Sequence, residues 1–427
     1  MAGDTTLPGR PAGRLNAVDK AVPPWADGLT VEEFLAREPR LSSLGTPLLV
    51  LDDDAIEDNL VAFAAYCAEH ELDLAPHGKT TMSPTLWRRQ LAAGSTAITV
   101  ANYPQLRVAV AAGVPRVHLA NAIADPGGVA WLGAALDADP GLEVEVWADS
   151  EATVTLLADA LAGARRPLTV LVEVGSLGAR TGARTLEEAV AVGEAIAASP
   201  RLRLGGVAGY EGAVAHDVTP TGLARVDAYL ETMAAVHRRL ADSYSEDGPV
   251  VVSAGGSAYF DRVAAVLGPL RDDRTKVELR SGVYVIHDDG FYASVAPADR
   301  GIPAPRLRSA MRIWARVLSR PEPTLVLLDV GRRDVSFDDG LPVPQVAATT
   351  LGGPQRPLVG AVATAINDQH LFLTVPADDP VAVGDVVGLG ASHPCTVMDK
   401  WRTVPVVRGR AGHGDDPVVV DLVATYF

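Results

Sequence analysis

The sequence predicts an α/β chain: a (β/α)8 barrel of the TIM type over residues 46–300, followed by an all-β domain over residues 301–427. Three observations predict it. From Leu48 onward, short apolar runs alternate with segments of helical period. The apolar runs are mostly unbroken Val, Ile, Leu and Ala, the pattern of parallel strands covered on both faces. Beyond Gly301 the helical pattern fades and strand-like runs follow one another across turns. A doubly wound open sheet is the competing architecture, but no GxGxxG turn follows the early strands.

Taken in order, residues 1–45 form an N-terminal extension expected to complete the β domain in part. Its first twenty residues, rich in Pro, Gly and Arg, are expected to be loosely ordered. Leu48-Leu49-Val50-Leu51 reads as a strand, and Asp54 to His70 as a helix with Leu60, Phe63, Ala64 and Cys67 on its apolar side. Eight strand candidates follow: Leu72–His77, Ala97–Asn102, Arg116–Asn121, Glu143–Asp149, Leu168–Val174, Leu204–Tyr210, Val250–Gly256 and Val277–Val285. In the last domain the strand candidates are Ala310–Leu318, Thr324–Val330, Leu358–Ala365, Leu371–Val375, Asp385–Leu389 and Val418–Val423.

The C-terminal ends of the barrel strands are where such a fold places its active site. His77 and Lys79 end the first, Asn102 and Asn121 the second and third, and Asp149 the fourth. The fifth leads into Glu173 and Arg180, and the sixth into Tyr210-Glu211. Ser253-Ala254-Gly255-Gly256-Ser257 and Arg280-Ser281-Gly282-Val283-Tyr284 follow the seventh and eighth. Glycine frees backbone N–H groups to bind an anion, so these two loops are candidates for a phosphate.

Pro76-His77-Gly78-Lys79-Thr80 carries the most chemistry. Gly78-Lys79-Thr80 resembles the end of a P-loop, but that motif needs a glycine five residues before Gly78, and Asp73 stands there. Two readings of Lys79 remain: a solvated loop lysine, or a partly desolvated amine that forms a Schiff base. The second stretch is Ser392-His393-Pro394-Cys395. On an extended chain, residues two apart share a face, so His393 and Cys395 can converge as an imidazole–thiolate pair suited to Zn2+. The alternative is a turn with a packed His and a buried Cys.

Charge and composition exclude other classes. The 427 residues are 48% hydrophobic and 21% charged, with a net charge of −16 that disfavours nucleic acid and acidic membrane. Two cysteines, Cys67 and Cys395, make no disulfide framework and fit a reducing cytoplasm. Met1-Ala2-Gly3-Asp4-Thr5 lacks a basic start before an apolar run, so no signal peptide is expected. No apolar stretch approaches the roughly 18–20 residues of a membrane helix.

From about Thr46 to the C-terminus, the lysine stretch and the His-Pro-Cys stretch together resemble the fold-type III pyridoxal-phosphate enzymes of the D-serine dehydratase and D-threonine aldolase group. The resemblance implies an alanine-racemase-like barrel holding pyridoxal 5'-phosphate, a C-terminal β domain with a metal site, and a head-to-tail homodimer with active sites at the subunit interface. It implies that Lys79 carries the cofactor and that His77 belongs to the cofactor-binding set. Arg180 and Tyr210 would lie near the ring, with Gly255, Gly256, Ser257 and Tyr284 at the phosphate. His393 and Cys395 would bind the metal, expected to be Zn2+.

Cys at 395, where aldolases tend to carry Asp, favours dehydration. The implied reaction is loss of the β-hydroxyl and α-proton from a small D-amino acid such as D-serine, giving a 2-oxo acid and ammonia. D-threonine aldol cleavage is the alternative; racemisation and non-catalytic cofactor binding are further rivals. Val172 to Gly182 is longer than the matching segment of the animal and yeast dehydratases, and resembles a bacterial amino-acid deaminase subgroup. Val397-Met398 also departs from the expected Thr-Phe.

Overall fold

The computed structural model describes residues 13–409 and 416–427. β1 (Leu48–Asp52) stands apart from the barrel and pairs in a second sheet. The barrel strands are β2 (Asp73–Leu74), β3 (Ile98–Val100), β4 (Arg116–Leu119), β5 (Glu143–Ala148), β6 (Leu168–Val174), β7 (Leu202–Gly209), β8 (Val250–Ala254) and β9 (Thr275–Leu279). They form one parallel sheet from β3 round to β9 and then β2, and a bridge between His77 and Thr99 ties β2 back to β3. All eight overlap the runs expected from the sequence.

The last one ends early. Val277–Val285 was expected as a strand, but pairing stops at Leu279 and the chain bends into a 3-10 turn at Val283–Val285. Gly282 makes the bend possible: a Cβ there would lie 2.3 Å from the His77 carbonyl oxygen.

Several polar residues at strand ends serve the backbone. Asn102 accepts from Gln105 N at 3.0 Å and caps the next helix. Asn121 donates to the Ala101 carbonyl and accepts from Ala122 N. Asp149 receives Thr153 Oγ1 and Gly182 N. Their place at one end of the sheet follows from capping as much as from chemistry.

The barrel interior is not the continuous apolar core that the strand composition suggests. Trp147, Leu171, Ala208 and Val251 make one apolar layer. Beside it lies a buried ionic group in which Arg116 reaches Glu145 at 2.8 Å and Glu278 at 3.1 Å. Trp147 Nε1 donates to His118 Nε2 at 2.7 Å, so Nδ1 carries the proton and donates to Glu278 at 2.8 Å. His118, Glu145 and Glu278 have the spacing of a metal site. With Nε2 taken by Trp147 and both carboxylates facing Arg116, they form an ion-paired interior instead.

The second sheet contains β10 (Met311–Glu322), β11 (Leu325–Leu328), β12 (Val343–Ala348), β13 (Arg356–Pro357), β14 (Val362–Ile366), β15 (Leu371–Thr374), β16 (Val386–Gly390), β17 (Thr403–Arg408) and β18 (Val418–Ala424). β1 lies between β10 and β17, antiparallel to the first and parallel to the second. Leu15, Phe34, Leu41 and Leu44 of the extension pack with Trp314, Val386 and Leu422. Loose ordering was expected for the first twenty residues, of which 1–12 lie outside the described residues. Residues beyond them are fixed: Leu15 is buried and exchanges hydrogen bonds with Leu29 and Gly28. Among the described residues, no helix is long and apolar enough to cross a membrane.

Candidate active site

Lys79 sits in a single 3-10 turn, Gly78–Thr80, directly after the His77–Thr99 bridge. The turn is tightly held. A Cβ at Gly78 would lie 2.7 Å from Trp87 Nε1 and 2.8 Å from Ile98 Cγ2, so only glycine fits. Trp87 Nε1 donates to the Gly78 carbonyl at 3.2 Å, and Tyr426 N to the Met82 carbonyl at 2.9 Å. The half-buried Lys79 amine has its pKa lowered by burial; Cys395 opposes this, while Arg180 and Arg280 add to it. His77 is held neutral by burial first, then by Lys79 and Arg280.

Around this turn the structure gathers Tyr210, Arg180 and Arg280. The exposed Arg180 guanidinium lies 4.7 Å from the Tyr210 ring centroid. Burial, with Glu211 adjacent, pushes Tyr210 up to about 12. The Arg180 loop is pinched at its neck, where a Cβ on Gly182 would lie 2.4 Å from Gly175 N. Thr181 Oγ1 donates to Glu173 Oε1 at 2.6 Å across it. Arg280, fully buried, donates to Ser253 Oγ and the Gly209 carbonyl and lies 4.8 Å from the Trp147 ring.

The glycine loop after β8 has a different partner from the one its sequence suggests. Gly255 N and Gly256 N donate to the two carboxylate oxygens of buried Glu211, at 3.0 and 2.6 Å. Ser257 accepts from Val283 N at 3.2 Å and, with Ser281, lines a cavity of about 330 Å3. Tyr284 borders that cavity but stacks on Phe63 at 4.5 Å.

His393 and Cys395 come from the second domain. The extended geometry expected for them is absent: Pro394 is helical and Cys395–Met398 forms a short helix, as a proline at a helix start favours. The two side chains lie close enough for the thiol to raise the imidazole pKa. His393 Nδ1 bonds to Asp338 Oδ2 at 2.7 Å and lies 3.0 Å from Asp339 Oδ2. Burial disfavours the charged imidazole, but Cys395 and Asp338 outweigh it and push His393 up to about 9. Thr396 Oγ1 holds the other Asp338 oxygen at 2.7 Å. Cys395 Sγ lies 3.4 Å from Thr80 Oγ1, so the second domain reaches the lysine turn itself.

The strand with its turn lysine, the arginine over tyrosine and the imidazole–thiol pair can now be set beside known proteins. Residues 51–267 match the family model of the alanine racemase N-terminal domain, which covers half of the chain. The chain belongs to that family. Residues 310–407 match a putative serine dehydratase domain, and the two matches together make the chain a fold-type III enzyme of the D-threonine aldolase and D-serine dehydratase group, of the lyase type. A D-threonine aldolase of Arthrobacter sp is 28% identical over 384 residues, 90% of this chain and 92% of that one. A 3-hydroxy-D-aspartate aldolase of Paracoccus denitrificans is 27% identical over 307 residues, 70% and 76% of the two chains. The crystal structure of D-threonine aldolase from Filomicrobium marinum superposes with a TM-score of 0.73 at 26% identity, covering 89% of this chain and 96% of that one.

The family implies pyridoxal 5'-phosphate, and the residues present suit it. His77 Nδ1 and Glu173 Oε2 are buried at the strand ends without a partner among the described residues. Ser257 and Ser281 supply hydroxyls beside the cavity. An imidazole oriented by a carboxylate, next to a thiol, is a donor set suited to a divalent metal. From the sequence Glu211 and Arg280 stood out only as strand-end residues, and Asp338 and Tyr292 were not selected. The paired Asp338-Asp339 before a glycine was the one local signal available.

Proposed function

We propose that the chain is a pyridoxal 5'-phosphate- and metal-dependent lyase that removes water from a 3-hydroxy D-amino acid, with D-serine as the expected substrate. The observation that carries this reading is the junction of the imidazole–thiol pair with the lysine turn, Cys395 Sγ against Thr80 Oγ1. It sets a metal-type donor set beside a depressed lysine amine.

Lys79 would hold the cofactor, with His77, Arg180 and Tyr210 about it and Ser257 at the phosphate. The cofactor, when bound, supplies a conjugated sink for the charge left on the substrate Cα. Lys79 moves the α-proton, and burial suits its amine to that work by favouring the neutral form. Glu211 fixes the Gly255-Gly256 backbone, and Asp338 fixes the His393 ring. His393 and Cys395 would hold a divalent ion such as Zn2+, which supplies Lewis-acid polarisation of the β-hydroxyl. Loss of that hydroxyl with the α-proton, then hydrolysis of the released enamine, gives pyruvate and ammonia from D-serine. In a homodimer, as the resemblance implies, the partner would complete the walls of the site.

A second reading is aldol cleavage of a D-threonine-like substrate, favoured by the aldolases among the relatives. Cys395 and the serine dehydratase match favour water loss. Purified holoenzyme incubated with D-serine, D-threonine and their L-isomers separates the two. Oxo acid and ammonia from D-serine supports dehydration; glycine and aldehyde from D-threonine, without oxo acid, overturns it.

A further inference from the structure

The segment after β9 is clamped from both domains. The Asp288 carboxylate accepts from Tyr292 N at 3.1 Å and Ala293 N at 2.9 Å, fixing the start of the short helix Phe291–Val295. Asp289 N donates to the Ala391 carbonyl at 3.0 Å and Phe291 N to the Ser392 carbonyl at 3.2 Å. Gly290 lies so close to Ser392 that a Cβ would meet its Cα at 2.6 Å. Ser309 Oγ closes the clamp by donating to Asp289 at 2.7 Å.

The side chain presented by this clamp is Tyr292. Its ring centroid is 6.4 Å from that of His393, and it lines the cavity shared by Ser257 and Ser281. Burial raises the pKa of its hydroxyl, and Cys395 and Tyr210 act in the same direction from close by. That hydroxyl has no hydrogen-bond partner among the described residues, although the backbone behind it is fixed by four hydrogen bonds.

We infer that Tyr292 is a substrate-recognition residue whose hydroxyl bonds the group on the substrate β-carbon. Its ring lies beside that of His393, and a 3-hydroxy group held by the His393–Cys395 pair would fall next to it. A hydroxyl carried on a fixed backbone and facing a cavity adds the net worth of one hydrogen bond to a ligand that pairs with it. The inference rests on the 3-hydroxy D-amino acid reading of the site.

The test uses holoenzyme and the shift of cofactor absorbance on titration with D-serine and with D-alanine, which differ in the β-hydroxyl alone. Tyr292→Phe keeps the ring and its packing. We expect it to lose about tenfold of the wild-type preference for D-serine over D-alanine, with D-alanine affinity and zinc content unchanged. An unchanged ratio of the two affinities overturns the inference while leaving the proposed function intact. If wild-type holoenzyme binds neither D-amino acid, the proposed function fails and the inference fails with it. Asp288→Asn, which keeps an acceptor for Tyr292 N, should preserve the wild-type ratio; loss of discrimination there with none in Tyr292→Phe assigns the effect to the clamp.

Discussion

Cys395 and Thr80 meet across the two domains, Sγ to Oγ1 at 3.4 Å, and Thr80 follows Lys79 directly in the chain. The Lys79 turn and the His393–Cys395 segment are therefore neighbours, brought together by domain packing. Cys395→Ala should lower both metal content and turnover while leaving cofactor absorbance in place. Elemental analysis beside the visible spectrum checks this; loss of both signals together would mean that the thiol holds the turn, not the metal.

Asp338 holds the Nδ1 side of His393. Removing such an orienting carboxylate typically weakens metal affinity about 10–100-fold. Asp338→Asn is expected to fall in that range when zinc is competed against a chromophoric chelator.

On the proposed function, Lys79→Ala should abolish the visible absorbance of the bound cofactor and reduce turnover by about 10³ or more, because it would remove both the attachment point and the group that moves the α-proton. Retained activity with free cofactor at the wild-type rate would remove Lys79 from the chemistry.

Gly78→Ala places a Cβ against Trp87 and Ile98. Overpacking of this kind costs about 1–3 kcal/mol. A lower melting temperature accompanied by weaker cofactor binding would show that the turn's position, as well as its stability, depends on this glycine.

Glu278 titrates at about 2: burial alone would raise it, but Arg116 and then His118 outweigh burial and lower it from 4.5. Its contribution to stability is present in full above about pH 4.5 and drains as pH falls toward 2. Glu278→Gln should flatten the acid limb of a melting-temperature profile. It should also destabilise the protein at neutral pH, by less than the about 3–5 kcal/mol of a fully orphaned buried charge, since Arg116 keeps Glu145 at 2.8 Å.

The barrel was legible because its strands are continuous apolar runs and each is followed by helical period. Val343–Ala348 and Thr403–Arg408 were not read as strands. The first holds a proline and a glutamine, and the second a proline, which blur strand periodicity. Lys79, His393 and Cys395 stood out because their residue types are chemically distinctive in short motifs. Glu211 was seen only as a strand-end residue, since nothing local says that Gly255 and Gly256, far along the chain, will donate to it. Tyr292 derives its meaning from His393 in the other domain, and Asp338 from His393 and Thr396, more than fifty residues along its own domain.

The pairing of β1 with β10, Leu51 opposite Met311, makes the barrel an insertion between two neighbouring strands of the second sheet. Its two ends are stapled side by side, so a barrel cut free there has termini already adjacent for rejoining. During synthesis the order is reversed. β1 emerges first, but its partners β10 and β17 arrive only after the whole barrel, a pairing of high sequence separation and therefore late. The Cys395 side of the site emerges after β10 and just before β17, so the barrel can form before the pocket exists.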